Sequence, residues 1–594
     1  MKKLLLFLTI ALTGATALAQ GWPANYGGVM LQGFFWDSYK EVPDCSPFGP
    51  EGNRTYPAGV QYNNPGMTWA TMYGAGWATG EEWLVPKTTW SSLLNCGTDI
   101  TRYIDLLWLP QSGSTVCGPT ITYYKSNDNS GRGGVRAWRN GGTWGYNDGN
   151  IITNPDCMGF VPVFYFHHGL VKNPDNSDWT YNFGNTTYTP MSYHGTEAEL
   201  RQLINTFKAA GTGAIEDVVI NHRGGLGTWS NDKNSIDFPS EYYNNELIQW
   251  TSSDVCSDDE SGRGTGNPDC GGRGEWARDM DHHSAATRAK MAKFLDFLKN
   301  DLGYIGFRYD YAMGFEERHF GDYNTAVRPA FSVGEYWGSQ DNIKTWIKNT
   351  YADGAVQSAA FDFPLMGYIN DAFNNGNYRG LKGAGLISDD SYKRYAVTFI
   401  DNHDTFKDLP TDGSNYAYQH RLNNHIVEAN AFILSMPGTP CLFWPHYKHP
   451  TWKAYIQDMI IARRVAGVTN TSNVVETNDV DNNGVEFKIQ GNNGKILLQL
   501  GDAANASHVP GNDYTVVYTG DVARMSIETT ALNGQSWNTV KQNYTKTTLA
   551  MGYPVVDKPS GSYYGGVTVN VAPSSPGVEL VYSTNGTEPT ANST

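Results

Sequence analysis

GFRYDY, residues 306–311, closes a short apolar run by presenting Arg308 and Asp310. Side chains one residue apart on a strand point the same way. If GYIGFRYD, residues 303–310, is a strand, Arg308 and Asp310 therefore share a face at its carboxyl end. A guanidinium beside a carboxylate favours the ionised form, and an ionised carboxylate held in place is a candidate nucleophile. Taken alone, such a pair reads more often as structural than as catalytic. Three further stretches change that balance: EDVVINH (216–222), FSVGEYW (331–337) and FIDNHDT (399–405) are each an apolar, β-branched or aromatic run that ends in polar groups.

In chain order these four stretches resemble the four signature regions of the α-amylase family of glycoside hydrolases, and the similarity runs from about residue 28 to about residue 525. The resemblance implies an α/β fold: a (β/α)8 TIM barrel whose third, fourth, fifth and seventh strands end in these regions, a B domain inserted after strand 3, and a C-terminal antiparallel β domain. The residues support the alternation. GVMLQGFFW (28–36) and IDLLWLP (104–110) are near-continuous apolar runs, as buried parallel strands are. GTEAELRQLINTFKAAG (195–211) sets Leu200, Leu203, Ile204 and Phe207 at helical spacing before Gly211, and EDVVINH follows directly. Strand, helix, strand is the α/β pattern. A Gly/Tyr/Trp-rich insertion at 39–88 and a Gly/Asn-rich one at 113–155 read as long loops on this barrel.

Residues 1–19 hold two lysines, an apolar run from Leu4, and Ala17-Leu18-Ala19 before Gln20. That is the pattern of a secretory signal cleaved near Ala19, so the mature protein is expected in the periplasm or the medium. No later stretch offers about 18 consecutive apolar residues, so no membrane span is expected. With 40% hydrophobic and 17% charged residues, 594 residues suffice for a large core and several domains. The formal charge of -16 argues against a nucleic-acid partner. The 18 Trp and 36 Tyr suit stacking on pyranose faces, although aromatic rings fill cores as well. The expected partner is starch or another α-glucan, bound by a monomer. Seven cysteines cannot all pair in an oxidising compartment. Cys441, inside PGTPCLFW, reads as a buried free thiol; Cys117 with Cys157, and Cys256 with Cys270, are candidate loop staples, with the pairing left open.

After His222 the helix and strand pattern breaks for about sixty residues, until MAKFLDFL (291–298). This excursion, 223–283, resembles the family's B domain, and CSDDESGRGTGNPDCGGRGEWARDMDHH (256–283) is similar to the plant-type α-amylases in particular. Asp258, Asp269 and Asp279 are hard oxygen donors in a Gly-rich loop able to wrap a cation, and Asn221 adds an amide oxygen. By resemblance, a Ca2+ ion uses Asn221, Asp269, Asp279 and the backbone carbonyl of Gly314, with Asp258 at or near the cluster. Arg273 stands where plant relatives carry a further aspartate, so an additional calcium is not implied.

The resemblance assigns the chemistry as well. Asp310 is the implied nucleophile, Glu335 the general acid and then base, and Asp404 the third carboxylate, holding the sugar hydroxyls. In a retaining glycosidase the two reacting carboxyl groups stand about 5 to 5.5 Å apart. Glu335, flanked by Val333, Tyr336 and Trp337, is the better placed of the two to stay protonated. Arg308, His222, His403 and Phe160 complete the implied substrate site, and Asp217, placed at the start of its strand, supports Arg308. Two positions depart from the family pattern. Met313 replaces a lysine three residues beyond the nucleophile, and Phe160 in MGFVPVFYF (158–166) replaces a stacking tyrosine. Secreted, endo-acting α-1,4-glucan hydrolysis is the implied activity. A relative acting on shorter maltooligosaccharides or transferring glycosyl groups stays open, as does a non-catalytic glucan-binding protein, although all three carboxylates are present.

SMPGTPCLFWPHY (435–447) is similar to the eighth barrel strand of the plant-like group, and a helical run to about residue 464 closes a catalytic barrel spanning 20–464. VEFKIQGNNGKILLQLGD (485–502) then alternates apolar and polar residues around an Asn-Asn-Gly turn, a β-hairpin pattern inside an expected C-terminal sheet domain, 465–525. Residues 526–553 read as a linker. Residues 554–594 resemble the start of a small all-β module appended to bacterial carbohydrate-active enzymes.

Overall fold

The computed structural model describes residues 21–35, 38, 88–115, 158–173, 175–183, 186–188, 190–224, 240–259, 264–272, 277–405, 422 and 425–546, together with short strand pairs at 139–140 with 143–144 and 555–556 with 571–572. The signal stretch 1–19, most of both long insertions, Cys45, Cys117, Cys157, Arg273 and nearly all of 554–594 lie outside the described residues.

Eight parallel strands close into a barrel. In chain order they are β1 (Met30–Gln32), β2 (Leu106–Leu109), β3 (Gly213–Val218), β4 (Gly306–Tyr309), β5 (Phe331–Gly334), β6 (Ala359–Phe361), β7 (Ala396–Thr398) and β8 (Thr439–Phe443). Met30 of β1 pairs with Leu106 on one side and with Cys441 of β8 on the other, which completes the ring. Every residue of these strands is buried. That explains their mainly apolar spelling: a parallel barrel is covered by side chains inside and helices outside.

Among the described residues, eight helices alternate with the strands: α1 (Trp90–Cys96), α2 (Glu197–Ala209), α3 (Ala285–Asp296), α4 (Glu317–Val327), α5 (Gln340–Asn349), α6 (Phe363–Asn375), α7 (Ile426–Ser435) and α8 (Trp452–Ala466), with shorter turns at Thr98–Thr101 and Trp444–Lys448. The helix read from the sequence at 195–211 is α2. Thr196 caps it through a reciprocal pair, with the Glu199 N–H donating to Thr196 Oγ1 at 3.2 Å and the Thr196 N–H to Glu199 Oε2 at 2.8 Å. Its apolar stripe, Leu200, Leu203, Ile204 and Phe207, is buried as the spacing required. Among the described residues no helix is long and apolar enough to cross a membrane.

Beyond the barrel a five-stranded antiparallel sheet runs in the order β9 (Asn473–Val480), β10 (Gly484–Gln490), β11 (Lys495–Leu500), β13 (Ala523–Glu528), β12 (Tyr514–Thr519). It packs on α7 and α8. The expected hairpin is β10 with β11, in register from Val485 opposite Leu500 to Gln490 opposite Lys495.

Two sequence readings need correction here. Asp217 is the penultimate residue of β3, not its start, because the strand begins at Gly213. The stretch after 525 is not an irregular linker through 546: β13 continues to Glu528, and a short helix, α9 (Trp537–Asn543), follows. Polar anchors hold that segment down despite its Thr/Asn-rich spelling. Arg102 Nη2 donates to the carbonyls of Lys541 and Tyr544 at 3.3 Å, and Lys546 Nζ donates to those of Ile104 and Gly211 at 2.7 Å.

Candidate active site

The carboxyl ends of β3, β4, β5 and β7 carry the polar residues singled out in the sequence, and Arg308 joins three of them. Its guanidinium is fully buried, with Nη1 2.6 Å from Asp310 Oδ1 and 2.7 Å from Asp217 Oδ1, and Nη2 2.8 Å from Glu335 Oε1. The strand register accounts for this. Arg308 in β4 stands between Asp217 in β3 and Val333 in β5, so the carboxylates approach it from both neighbouring strands as well as from its own. Beneath, the guanidinium lies 4.9 Å from the centre of the Trp108 ring, and Trp108 Nε1 donates to Asp217 Oδ2 at 3.0 Å. Burial disfavours the charged guanidinium, but three carboxylates outweigh it and raise the pKa of Arg308 above the ordinary arginine value. Asp310 and Glu335, gripping one guanidinium, stand side by side at the mouth of the barrel.

Glu335 is the more enclosed of the two: its side chain is 6% exposed against 13% for Asp310. Burial pushes its carboxyl up to about 7; Arg308 opposes that rise, while the charges of Asp310 and Asp404 add to it. Tyr311 turns into the left-handed region, φ 46°, and its backbone N–H donates to Glu335 Oε2 at 3.0 Å. Trp337 Nε1 donates to Oε1 at 3.2 Å. The Tyr311 turn thus links the chain after Asp310 to the second carboxyl.

Asp404 faces this pair from β7. The backbone N–H groups of Asp404 and Thr405 both donate to Asn402 Oδ1, at 2.8 and 2.9 Å, a turn that leaves the Asp404 carboxylate partly exposed. His403 Nδ1 lies 2.8 Å from Gln32 Nε2, a donor, so Nδ1 accepts and Nε2 carries the proton toward Asp404 Oδ2, 3.4 Å away. His222 Nε2 donates to the Phe160 carbonyl at 2.8 Å, and burial lowers the pKa of that imidazole. The Phe160 ring stacks on His403, centroids 5.1 Å apart and planes 9° apart, so one residue steadies both histidines. Every catalytic and substrate-binding candidate from the sequence therefore lies around this mouth. Gln32 and Trp108 were not singled out, although both sit on strands that were; Trp337 was read only as an aromatic flank of Glu335.

The oxygen donors of the inserted segment also converge. Asn221 Nδ2 donates to Asp279 Oδ1 at 3.3 Å, and the Asp269 N–H donates to Asp258 Oδ1 at 2.8 Å. A Cβ on Gly314 would lie 1.9 Å from Asn221 Oδ1, so only glycine lets that amide oxygen approach. A Cβ on Gly271 would lie 2.3 Å from the Gly314 carbonyl, which presses the 264–272 loop onto the turn after β4. Burial raises the Tyr311 phenol pKa, and Asp279 and Asp269 raise it further, which places both carboxylates around that ring. Carboxylates, an amide oxygen and a backbone carbonyl form a hard donor set suited to calcium. The expected staple between Cys256 and Cys270 is not formed. Both are free thiols, as are Cys96 and the buried Cys441.

No family model matches the chain. It is 31% identical over 361 residues to probable α-amylase 2 of Arabidopsis thaliana, a match covering 56% of this chain and 79% of that protein. It is 29% identical over 279 residues to the chloroplastic α-amylase 3 of the same plant, covering 44% of this chain and 29% of that one. To the glucan 1,4-α-maltotetraohydrolase of Roseateles saccharophilus it is 27% identical over 349 residues, 54% of this chain and 57% of the other. The chain thus spans less than two thirds of these last two relatives. Among solved structures, an α-amylase of Geobacillus thermoleovorans complexed with acarbose aligns at TM-score 0.46 and 13% identity, over 74% of this chain and 90% of that one. The extent of the first match carries the assignment: the chain belongs to the α-amylase family and is a glycoside hydrolase.

Proposed function

We propose that the protein hydrolyses internal α-1,4-glucosidic bonds of starch and related glucans with retention of configuration. The observation that carries this is the pair Asp310 and Glu335 on one guanidinium, with Glu335 raised to about 7 and Asp310 the more open. Asp310 attacks the anomeric carbon as Glu335 gives its proton to the departing glycosidic oxygen, leaving a glycosyl ester on Asp310. Glu335, now ionised, takes a proton from water, which attacks the same carbon and frees Asp310. Arg308 holds the nucleophile aimed. Asp404, His222 and His403 bind hydroxyls of the same glucose unit, and Phe160 backs the histidines and offers its ring edge to the sugar. Two events at one carbon restore its configuration. Soluble starch is therefore expected to give mid-length fragments early, with the newly formed reducing ends first seen as the α-anomer by proton NMR. First-formed β-anomer would overturn retention.

A second reading follows from the maltotetraohydrolase named above: release of a short product of fixed length from chain ends. Met313, where the family pattern has lysine, changes the leaving-group side in a way compatible with it. A single short oligosaccharide as the earliest product from long amylose would favour this reading over endo cleavage.

Asn221, Asp269, Asp279 and the Gly314 carbonyl, with Asp258 alongside, are the residues that would hold calcium. The ion, when bound, supplies positive charge that fastens the inserted segment to the turn after β4. Anything that binds only the folded state stabilises it by mass action, so prolonged chelation is expected to lower Tm and activity together, and excess calcium to restore both. Unchanged Tm and activity would remove calcium from the account. Export, with removal of a leader near Ala19, completes the proposal, and mass spectrometry of the mature amino terminus tests it.

A further inference from the structure

Beside the oxygen cluster lies a second group of a different chemistry. Ligand atoms of Cys270, His283 and His319 all lie within 4.8 Å of one another. They come from three segments: Cys270 from the inserted loop pressed onto Gly314, His283 from the turn before α3, and His319 from the first turn of α4. His319 Nδ1 is 3.2 Å from Asp322 Oδ2, and a carboxylate only accepts, so Nδ1 carries the proton and Nε2 presents its lone pair. That Nε2 is buried and has no hydrogen-bond partner, which a native fold rarely leaves without a reason. A carboxylate orienting an imidazole from behind is the usual support of a metal-binding histidine. Glu316 Oε1 lies 3.4 Å from His283 Nε2, and its Oε2 pairs with Arg318.

We propose that Cys270, His283 and His319 form a zinc site, separate from the calcium donors and tying the inserted segment to α3 and α4. One sulfur and two imidazole nitrogens, with water as the fourth ligand, are a tetrahedral set for zinc; calcium takes oxygen alone. Binding moves one proton, from the Cys270 thiol to solvent, as the sulfur–zinc bond forms, with no change of oxidation state.

The test uses the full-length protein, stripped with chelator and then kept in saturating calcium so that the oxygen site is filled throughout. Titration with Zn2+ against a competing chromophoric chelator is expected to show one tight equivalent and a rise in Tm beyond that given by calcium. Co2+ in its place is expected to show a thiolate-to-cobalt charge-transfer band. Cys270→Ser should abolish that band, and Cys270→Ser and His319→Gln should each weaken zinc binding at least about 100-fold. Should His319→Gln fail to fold, His283→Gln, at a position one third exposed, carries the test instead. No zinc equivalent in the presence of calcium, zinc retained unchanged by these variants, or Cys270 found by peptide mapping in a disulfide with Cys256 would each overturn the site.

Discussion

Glu335→Gln is expected to lower starch hydrolysis by about 100- to 10,000-fold, the range that a positioned general acid supplies. The substitution keeps the side-chain shape and removes the transferable proton. It also disturbs the local hydrogen bonding, because an amide has one accepting oxygen where Tyr311 N–H, Trp337 Nε1–H and Arg308 now converge on two. A thermal melt beside the rate measurement separates that effect from chemistry. Two further readings make the result specific. An aryl maltooligoside, whose leaving group departs without a proton, should release its first equivalent of aryl group with a much smaller loss of rate, while turnover of the glycosyl ester still needs Glu335 as base. The pH profile should change too: a carboxyl raised to about 7 is the acid below that pH and loses its proton above it, so the wild-type rate falls as pH rises through about 7. The variant should lack that limb. Equal losses on starch and in the release of the first aryl equivalent would mean that Glu335 is not the acid.

Arg308→Met should be the most destabilising single change in the barrel. Methionine fills much of the same space but leaves Asp217, Asp310 and Glu335 without the one cation that all three grip. Removing one partner of a buried ion pair costs about 3–5 kcal/mol. Unfolding entropy of about 2.1 cal/mol/K per residue makes each kcal/mol worth about 1 °C in a domain of over about 400 residues, so a drop of about 3–5 °C is expected at neutral pH. The deficit should shrink as pH falls, because protonating the stranded carboxyl groups removes the uncompensated charge. Arg308→Lys should fall between: a single ammonium restores charge but cannot span Asp310 and Glu335 as the two Nη atoms do. Urea or thermal melts of the three proteins at neutral and acid pH check this. A variant as stable as wild type at pH 7 would show that the carboxylates find another partner.

The barrel was legible because it follows local rules, and the roles proposed for the side chains at its mouth came from the resemblance of four stretches to the α-amylase family. A buried parallel strand must be apolar, and the polar group that ends it marks the barrel mouth, so four short runs located Asp310, Glu335, His222 and Asp404. Contacts between distant strand ends left no such mark. Gln32 meets His403 across 371 positions, and Trp108 meets Asp217 across 109, yet each reads as one more residue of an apolar run. The Thr/Asn-rich stretch after 525 misled for a related reason: its order comes from Arg102 and Lys546 reaching backbone carbonyls, which composition does not encode. Cys256 and Cys270 suggested a staple by their spacing, whereas Gly271 packed on Gly314 turns Cys270 toward α4. His283 and His319 stand 36 residues apart, and only the packing of α3 against α4 brings them together.

The ring closes between its first strand and its last, Met30 opposite Cys441. A nascent chain made at about 5–20 residues per second therefore spends tens of seconds with its earliest strand formed and the sealing strand not yet synthesised. Through that interval β1 offers an unpaired edge of amide and carbonyl groups, the kind of surface on which chains stitch together. Yield on overexpression should consequently depend on how fast translation runs relative to chaperone capture of the half-built sheet, and slowing synthesis without such capture should lengthen the exposure instead of relieving it.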